Sequence, residues 1–305
     1  MRNFFSVIAL FLLMIVVAHA QQSNVYWRGL RTDIQNDPDF VDVAFVNHRI
    51  GYMVDEANNV WKTVDGGNFW KQIPLPGNLD STWSLHRVIY SDQSTAFIIG
   101  GRRESNTPLV LRTTDGGAHW DRMTLSANVD HYVFFDISFP TPGIGYLAGG
   151  NFNGLGSVIA KTTDGGLTWN RANHSPMNGV NAHVDFRDSV HGLLINNYSQ
   201  PAHGTILSTS DGGESWQNAD PVAWKSRDEK WAIAHTFDGA WIASSRSDIV
   251  RSTDDGISWE ESATLSPDTA HFFIDFAFTP NGIGYALAQP FAKQTLWETT
   301  DAGRT

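Results

Sequence analysis

Thr63-Val-Asp65-Gly-Gly67-Asn-Phe-Trp70 returns along the chain as Thr113-Thr-Asp115-Gly-Gly117-Ala-His-Trp120, Thr162-Thr-Asp164-Gly-Gly166-Leu-Thr-Trp169, Thr209-Ser-Asp211-Gly-Gly213-Glu-Ser-Trp216 and Ser252-Thr-Asp254-Asp-Gly256-Ile-Ser-Trp259. A sixth copy, Thr299-Thr-Asp301-Ala-Gly303-Arg-Thr305, stops one residue before its Trp. The six aspartates stand 50, 49, 47, 43 and 47 residues apart. That period is the length of a propeller blade, one four-stranded sheet per repeat. A residue present in every repeat marks architecture, because one active site cannot use six copies spread around a ring. Asp65, Asp115, Asp164, Asp211, Asp254 and Asp301 are therefore read as structural, as are Trp70, Trp120, Trp169, Trp216 and Trp259.

The residue types fit that role. Asp-Gly between two apolar runs is a strong short-hairpin signal, since Gly supplies positive φ without steric cost. The Asp carboxylate accepts hydrogen bonds from N–H groups of its own turn. The Trp opens the outgoing strand and covers the turn with a large apolar face.

Between the motifs the same order of elements recurs. Asp42-Val-Ala-Phe45, Asp136-Ile-Ser-Phe139 and Asp275-Phe-Ala-Phe278 alternate like half-buried strands and lead to Gly51-Tyr52, Gly145-Tyr146 and Gly284-Tyr285. Arg87-Val-Ile-Tyr90, His183-Val-Asp-Phe186 and Ala234-His-Thr-Phe237 are the corresponding first strands. Third strands such as Val60-Trp-Lys-Thr63, Leu109-Val-Leu-Arg-Thr113 and Asp248-Ile-Val-Arg251 then enter the motif. The expected fold is all-β, a propeller of four-stranded antiparallel blades with six blades visible and the last incomplete.

Composition bounds the function. The 305 residues include no Cys, which excludes disulfides and thiolate metal sites, and 32 Asp+Glu against 21 Lys+Arg give a net charge of -11. With no basic run longer than Arg102-Arg103, a nucleic-acid partner is not expected. Residues 1–20 read as a signal peptide: Arg2, then the apolar stretch Phe4 to Val17, then Ala18-His19-Ala20. The stretch is shorter than the ~20 residues of a spanning helix. No membrane insertion is expected after cleavage, and residues 21–305 form one propeller domain, secreted or periplasmic and monomeric.

The motif Ser/Thr-x-Asp-x-Gly-x-x-Trp resembles the Asp-box or BNR repeat of sialidases, sortilin-type receptors, xyloglucan-active glycosidases and the photosystem II assembly/stability-factor family. The run from Val43 through Gly51-Tyr-Met-Val54 to Val60-Trp-Lys-Thr-Val-Asp-Gly-Gly67 and Trp70 is most similar to the last of these. The likeness extends over residues 24–305. It implies a non-enzymatic propeller that binds assembling protein subunits, without cofactor or metal. It also implies that a strand at Trp27 completes the last blade and closes the ring. Two accounts stay open: a complete six-bladed ring closed by that strand, or, since the family usually builds seven blades and the end falls inside a motif, a chain expected to continue past Thr305.

Positions where equivalent residues differ are the candidates for function. Three residues before the first-strand aromatic stand Asp42, Arg87, Asp136, His183, Ala234 and Asp275. Inner strands of propellers turn alternate side chains to the channel, so these residues are expected to ring one mouth. A second set lies on loops. Connections between blades carry Trp83 in Gly77–Ser84, His131 and Tyr132 in Ala127–Tyr132, and Trp224 in Pro221–Lys230, with Ser266–His271 the fourth. Second-to-third-strand loops comprise Gly101–Pro108 with Arg102 and Arg103, Gly149–Gly156, and Tyr198–Gly204. Binding function concentrates on such loops, whose ends a scaffold fixes.

Catalytic motifs are scarce. There is no H-E-x-x-H, G-x-S-x-G or P-loop, and Arg49-Ile50-Gly51 lacks the Pro of the sialidase Arg-Ile-Pro segment. Asn173-His-Ser175 and Asn197-Tyr-Ser199 fit glycosylation sequons. The leading reading is a secreted binding or assembly scaffold that recognises a protein or glycan through its loop face and channel mouth. The alternative is a glycoside hydrolase of the sialidase or xyloglucanase type, with Asp42, Asp136 and Asp275 as the carboxylates.

Overall fold

The structure, a computed structural model, describes residues 40–77, 79–153, 156–172, 180–199, 202–219, 232–244, 248–264, 272–278, 283–289 and 295–304. The chain divides into Met1–Asp33 and Ile34–Thr305, and everything below concerns the second unit. The signal peptide, the strand at Trp27, Trp224 and Ser266–His271 lie outside the described residues.

Among the described residues six antiparallel sheets follow one another. Blade 1 is β1 (Phe40–Phe45), β2 (Gly51–Asp55), β3 (Val60–Thr63) and β4 (Lys71–Ile73). Blade 2 is β5 (Ser84–Tyr90), β6 (Ala96–Arg102), β7 (Thr107–Thr113) and β8 (Asp121–Arg122). Blade 3 is β9 (Val133–Thr141), β10 (Ile144–Asn151), β11 (Gly156–Thr162) and β12 (Asn170–Arg171). Blade 4 is β13 (Val180–Phe186), β14 (Gly192–Ser199), β15 (Ala202–Thr209) and β16 (Gln217–Asn218). Blade 5 is β17 (Ala232–His235), β18 (Trp241–Ser244), β19 (Asp248–Ser252) and β20 (Glu260–Thr264). Blade 6 has three strands, β21 (Phe272–Phe278), β22 (Gly284–Gln289) and β23 (Thr295–Thr299). Within each sheet the strands are hydrogen-bonded in chain order. The expected all-β propeller is the observed one.

The core sits between blades rather than inside them. Tyr52, Val54 and Val60 of blade 1 pack with Val88, Ile98 and Leu111 of blade 2, and Phe97, Ile99 and Val110 of blade 2 with Phe134, Ile137 and Leu147 of blade 3. Tyr146 and Ile159 meet Val184 and Leu194 at the next interface, and Leu193 and Ile206 meet Trp241 and Val250 at the one after. Second strands are therefore covered on both faces, and β6 reads as the unbroken apolar run Ala96-Phe-Ile-Ile99. One face is bare. Val43 is 52% exposed, where its equivalents Val88, Ile137 and Val184, covered by a preceding blade, are 1%, 4% and 2% exposed.

The box is a seven-residue connection (64–70 in blade 1) rather than a two-residue hairpin. The reason is the threonine. Thr63 Oγ1 donates to Asp65 Oδ1 (2.9 Å) and accepts from Gly67 N (2.9 Å), while Asp65 Oδ1 accepts from Phe69 N (3.0 Å). The same three bonds recur around Thr113, Thr162, Thr209 and Ser252. Trp70, Trp120 and Trp169 are buried, and Trp216 and Trp259 partly so. Both box positions after the Asp take positive φ, 77° and 85° at Gly66 and Gly67, and Asp255 and Ala302 accept 62° and 59° where the repeat has lost its first Gly.

The second Gly has a further cause. A Cβ at Gly117 would stand 2.1 Å from the Tyr52 hydroxyl, and one at Gly166 2.5 Å from the Phe97 ring. Each aromatic comes from the preceding blade and is paired across its sheet with a cation: Tyr52 with Lys62, Phe97 with Arg112, Tyr146 with Lys161. The cation lies 5.8, 6.0 and 5.5 Å from the ring centroid and donates to the first box Gly carbonyl of the next blade, at Gly116, Gly165 and Gly212. Arg251 reaches Ala302 O in the same way. Blade 4 carries the short Ser208 at this position. There Arg187 substitutes, bonding Gly239 O at 2.8 Å and Asp255 at 2.7 Å.

Blade 5 departs from the sequence reading. Its first strand ends at His235, before Thr236-Phe237. Thr236 Oγ1 instead accepts from Ala240 N (3.1 Å), and Gly239 at φ 82° closes a tight turn that leaves Phe237 71% exposed.

Candidate functional site

The six channel positions come together. Asp42, Arg87, Asp136, His183, Ala234 and Asp275 line one cavity of about 360 Å³. Five of the six inner strands carry a register shift immediately before that residue, between Phe40 and Asp42, Leu85 and Arg87, Phe134 and Asp136, Asn181 and His183, and Phe273 and Asp275. A bulge bends a strand and re-aims the side chain that follows it. Here it turns each charged residue inward.

Arg87 is the hub. Its Nε lies 3.2 Å from Asp136 Oδ1, and its Nη1 3.6 Å from Asp42 Oδ1 and 3.4 Å from Asp275 Oδ2. Its Nη2 lies 3.4 Å from His183 Nδ1, which is 3.4 Å from Asp136 Oδ2. One guanidinium thus joins blades 1, 2, 3, 4 and 6. Burial opposes its charge, but Asp136, Asp42 and Asp275 more than offset that and raise its pKa.

The two buried carboxyls are pushed apart. Asp42 rises from 3.8 to about 6 because burial outweighs Arg87 and the Val88 N–H. For Asp136 burial also raises the pKa, but Arg87 and His183 overcome it and the net shift is downward. Both also bridge blades through the backbone: Val88 N donates to Asp42 Oδ2 (2.8 Å) and Val184 N to Asp136 Oδ2 (3.0 Å). Asp185 accepts from His235 N (2.9 Å) and binds its ring Nδ1 (2.7 Å). The channel charges are largely spent on one another and on neighbouring blades, with Asp275, 49% exposed, the most open.

The loop candidates divide in two. Both loop sets lie at the end of the blades away from the boxes, since Gly101 pairs with Ser84 and Gly150 with Val133 at the starts of the inner strands. Trp83 is only 6% exposed and Tyr132 only 3%. They are packing residues rather than free loop aromatics. The guanidinium groups of Arg102 and Arg122 lie 4.4 and 4.7 Å from the Trp83 ring, and Arg102 pairs with Asp80 at 3.1 Å. Arg171 stacks on Tyr132 at 5.5 Å and bonds its hydroxyl at 3.0 Å, and the His131 ring pairs with Asp130.

Arg103 is different. Its guanidinium sits 4.9 Å from the ring of Phe152, which is 43% exposed. Phe152 meets Phe135 edge-on at 5.8 Å, and Phe135 stacks on His86 at 5.0 Å. Neither phenylalanine nor His86 was singled out from the sequence. The bulges that lift Phe135 and His86 out of register give them away only after the strands are paired.

Four-stranded blades that each carry the box at one end and longer loops at the other make this an Asp-box propeller fold. Within that class, residues 19–131 match the family described as photosynthesis system II assembly factor YCF48. YCF48 bound to D1 peptide superposes with a TM-score of 0.65 at 20% identity, over 89% of this chain and 82% of that one. YCF48 from Cyanidioschyzon merolae gives 0.63 at 20% identity, over 89% and 85%. The GH74 xyloglucanase from Xanthomonas campestris gives 0.63 at 15% identity, over 87% of this chain and 45% of the enzyme. No curated protein matches in sequence. The resemblance read from the boxes is borne out.

Proposed function

We propose that this chain is a non-enzymatic, protein-binding propeller, exported by residues 1–20, that holds its partner on the loop end. One observation carries the reading: the channel side chains are engaged with one another and with the next blade's N–H groups, while the loop end keeps a cation and an exposed ring, Arg103 against Phe152. The D1 peptide on a structurally similar propeller supports a protein partner. The chain immobilised on resin should retain a defined protein from the envelope fraction of its source, and lose it when Arg103 and Phe152 are both replaced. Retention of a glycan alone, or of nothing, would overturn this. N-terminal sequencing of the exported protein should begin at Gln21.

A second reading has one observation in its favour. Asp42, raised to about 6, shares a guanidinium with Asp136, whose pKa is lowered, and such a split is how glycosidases assign acid and nucleophile. Against it, Arg87 and two backbone N–H groups already engage both carboxyls. A panel of fluorogenic glycosides should show no turnover. Hydrolysis that disappears in Asp136→Asn would restore the enzyme reading.

A further inference from the structure

At the loop end a cavity of about 400 Å³ lies between the starts of β1 and β5, with Val41, Glu56, His86 and Arg103 among its walls. Its walls carry one cation and one carboxylate, Arg103 and Glu56. Among the described residues no carboxylate lies within ion-pair distance of the Arg103 guanidinium, whereas its neighbour Arg102 is tied to Asp80 and Trp83. In a chain of net charge -11 this cation stands in the wall of a cavity with no described carboxylate paired to it.

The frame around it is fixed. Phe152 N donates to the Asn106 side chain at 2.8 Å, holding the loop that presents the ring under Arg103. His86 Nδ1 is 2.7 Å from Phe134 O, so the ring nitrogen must donate there. Burial lowers the His86 pKa, and the neutral ring is left with Nε2 as an acceptor. Apolar surface comes from Val41 in the wall, 38% exposed, and, next to the cavity, from Phe152, whose ring lies against the Arg103 guanidinium. Glu56, exposed on the opposite side, disfavours a polyanion and suits a ligand that offers one carboxylate together with backbone N–H donors.

We propose that this cavity is a subsite for an extended peptide segment in which an apolar side chain stands next to an aspartate or glutamate. The carboxylate meets Arg103 in a planar, charge-assisted pair, the Phe152 ring backs that guanidinium, and the apolar side chain rests on Val41. Backbone N–H groups of the segment face His86 Nε2 and Glu56. This rests on the protein-binding reading above and names the partner's chemistry at the same end of the molecule.

A random heptapeptide phage library selected on the immobilised full chain, with the Arg103→Gln variant as counter-selection, tests it. Selected peptides should be enriched in an acidic residue beside an aliphatic or aromatic one. The leading peptide, synthesised with a fluorescein label and measured by anisotropy, should lose about tenfold or more in affinity toward Arg103→Gln and toward Phe152→Ser. Replacing its acid by the amide should do the same. Arg103→Lys should recover part of the loss, and Arg49→Gln, an exposed arginine beside a box, should change nothing. Melting curves confirm that each variant is folded. No enrichment, a basic consensus, or equal binding by Arg103→Gln would overturn the subsite. If the envelope capture still succeeds in that event, only the subsite falls; if both fail, so does protein binding at this end.

Discussion

The two ends of the blades use sequence in opposite ways. At the box end every repeat spends the same residues on the same bonds, and when one is lost another takes over, as Arg187 does for the short Ser208. Among the described residues the loop-end connections carry different side chains: Trp83 lies against Arg102 and Arg122, Tyr132 is buried beside Arg171, and Arg103 stands on Phe152 without an ion pair. Repetition is what a ring of sheets needs to hold each blade to the next. Variation is what remains for recognition. If that division is right, equivalent substitutions at the two ends must differ in kind.

The largest difference is expected between two glycines with similar backbone. Gly117 and Gly77 have φ of 84° and 77°, but a Cβ would meet the Tyr52 hydroxyl at 2.1 Å in the first and nothing within 4 Å in the second. Gly117→Ala should lose about 3–5 kcal/mol, strain and overpacking together. Gly77→Ala should lose about 1–2 kcal/mol from strain alone. Urea unfolding of both decides it: equal losses would mean that the second box Gly serves φ only.

Between the ends lies the channel, where the two carboxyls should also part. Asp136→Asn strips a buried partner from Arg87 and should lose about 3–5 kcal/mol. Asp42 behaves oppositely. Its folded pKa, about 6, exceeds its free value of 3.8, so the folded state holds the proton more tightly and this group's contribution falls as pH rises from 3.8 through 6. Asp42→Asn should therefore change stability by less than about 1 kcal/mol at pH 7.5 and flatten the profile between those pH values. A loss as large as that of Asp136→Asn would show that Arg87 depends on both equally.

Back in the box, Thr113→Val keeps the shape but removes the hydroxyl that joins Asp115 Oδ1 to Gly117 N. The half-buried N–H is left without its acceptor, a loss of about 1–2 kcal/mol. The carboxylates supply a pH signature of their own. For Asp164 and Asp211 burial opposes the charge, but bonds from Thr168 and Ser215, side chain and backbone, and from the box hydroxyl lower their pKa to about 2. Depressed pKa values give stability that is complete above the ordinary carboxylate range and lost as pH falls toward 2. Acid unfolding of the wild type should begin below pH 4, and a transition centred near 6 would contradict the box assignment.

These cases show what the sequence could and could not tell. The box was legible because its bonds close within five residues, Thr63 to Phe69 spanning one turn. The channel set was legible because repeats can be aligned, so Asp42, Arg87, Asp136, His183 and Asp275 fall in one register even though their convergence on one guanidinium needs the ring. What failed was non-local. Lys62, Arg112, Lys161 and Arg251 each stand just before a box threonine or serine, a visible pattern whose purpose appears only when the next blade is in place. Trp83 and Tyr132 were grouped with the recognition residues because burial by an arginine from another strand leaves no local mark.

The smallest expected effect separates the two neighbouring arginines. Arg102→Ala removes a cation from the Trp83 ring and an exposed pair with Asp80, each worth well under the value of a buried contact; about 0.5–1 kcal/mol should be lost. Arg103→Gln removes only a stack on a half-exposed ring, and its melting point should stay where it was. The pair thus inverts across the two measurements: Arg102 matters to stability and Arg103 to the ligand. Side by side in sequence, one ending β6 and the other opening the turn after it, they carry the contrast between holding the blades and meeting a partner down to adjacent residues. If Arg103→Gln destabilised the fold as much as Arg102→Ala, that guanidinium would be packing too, and the loop end would differ from the box end only in the variety of its contacts.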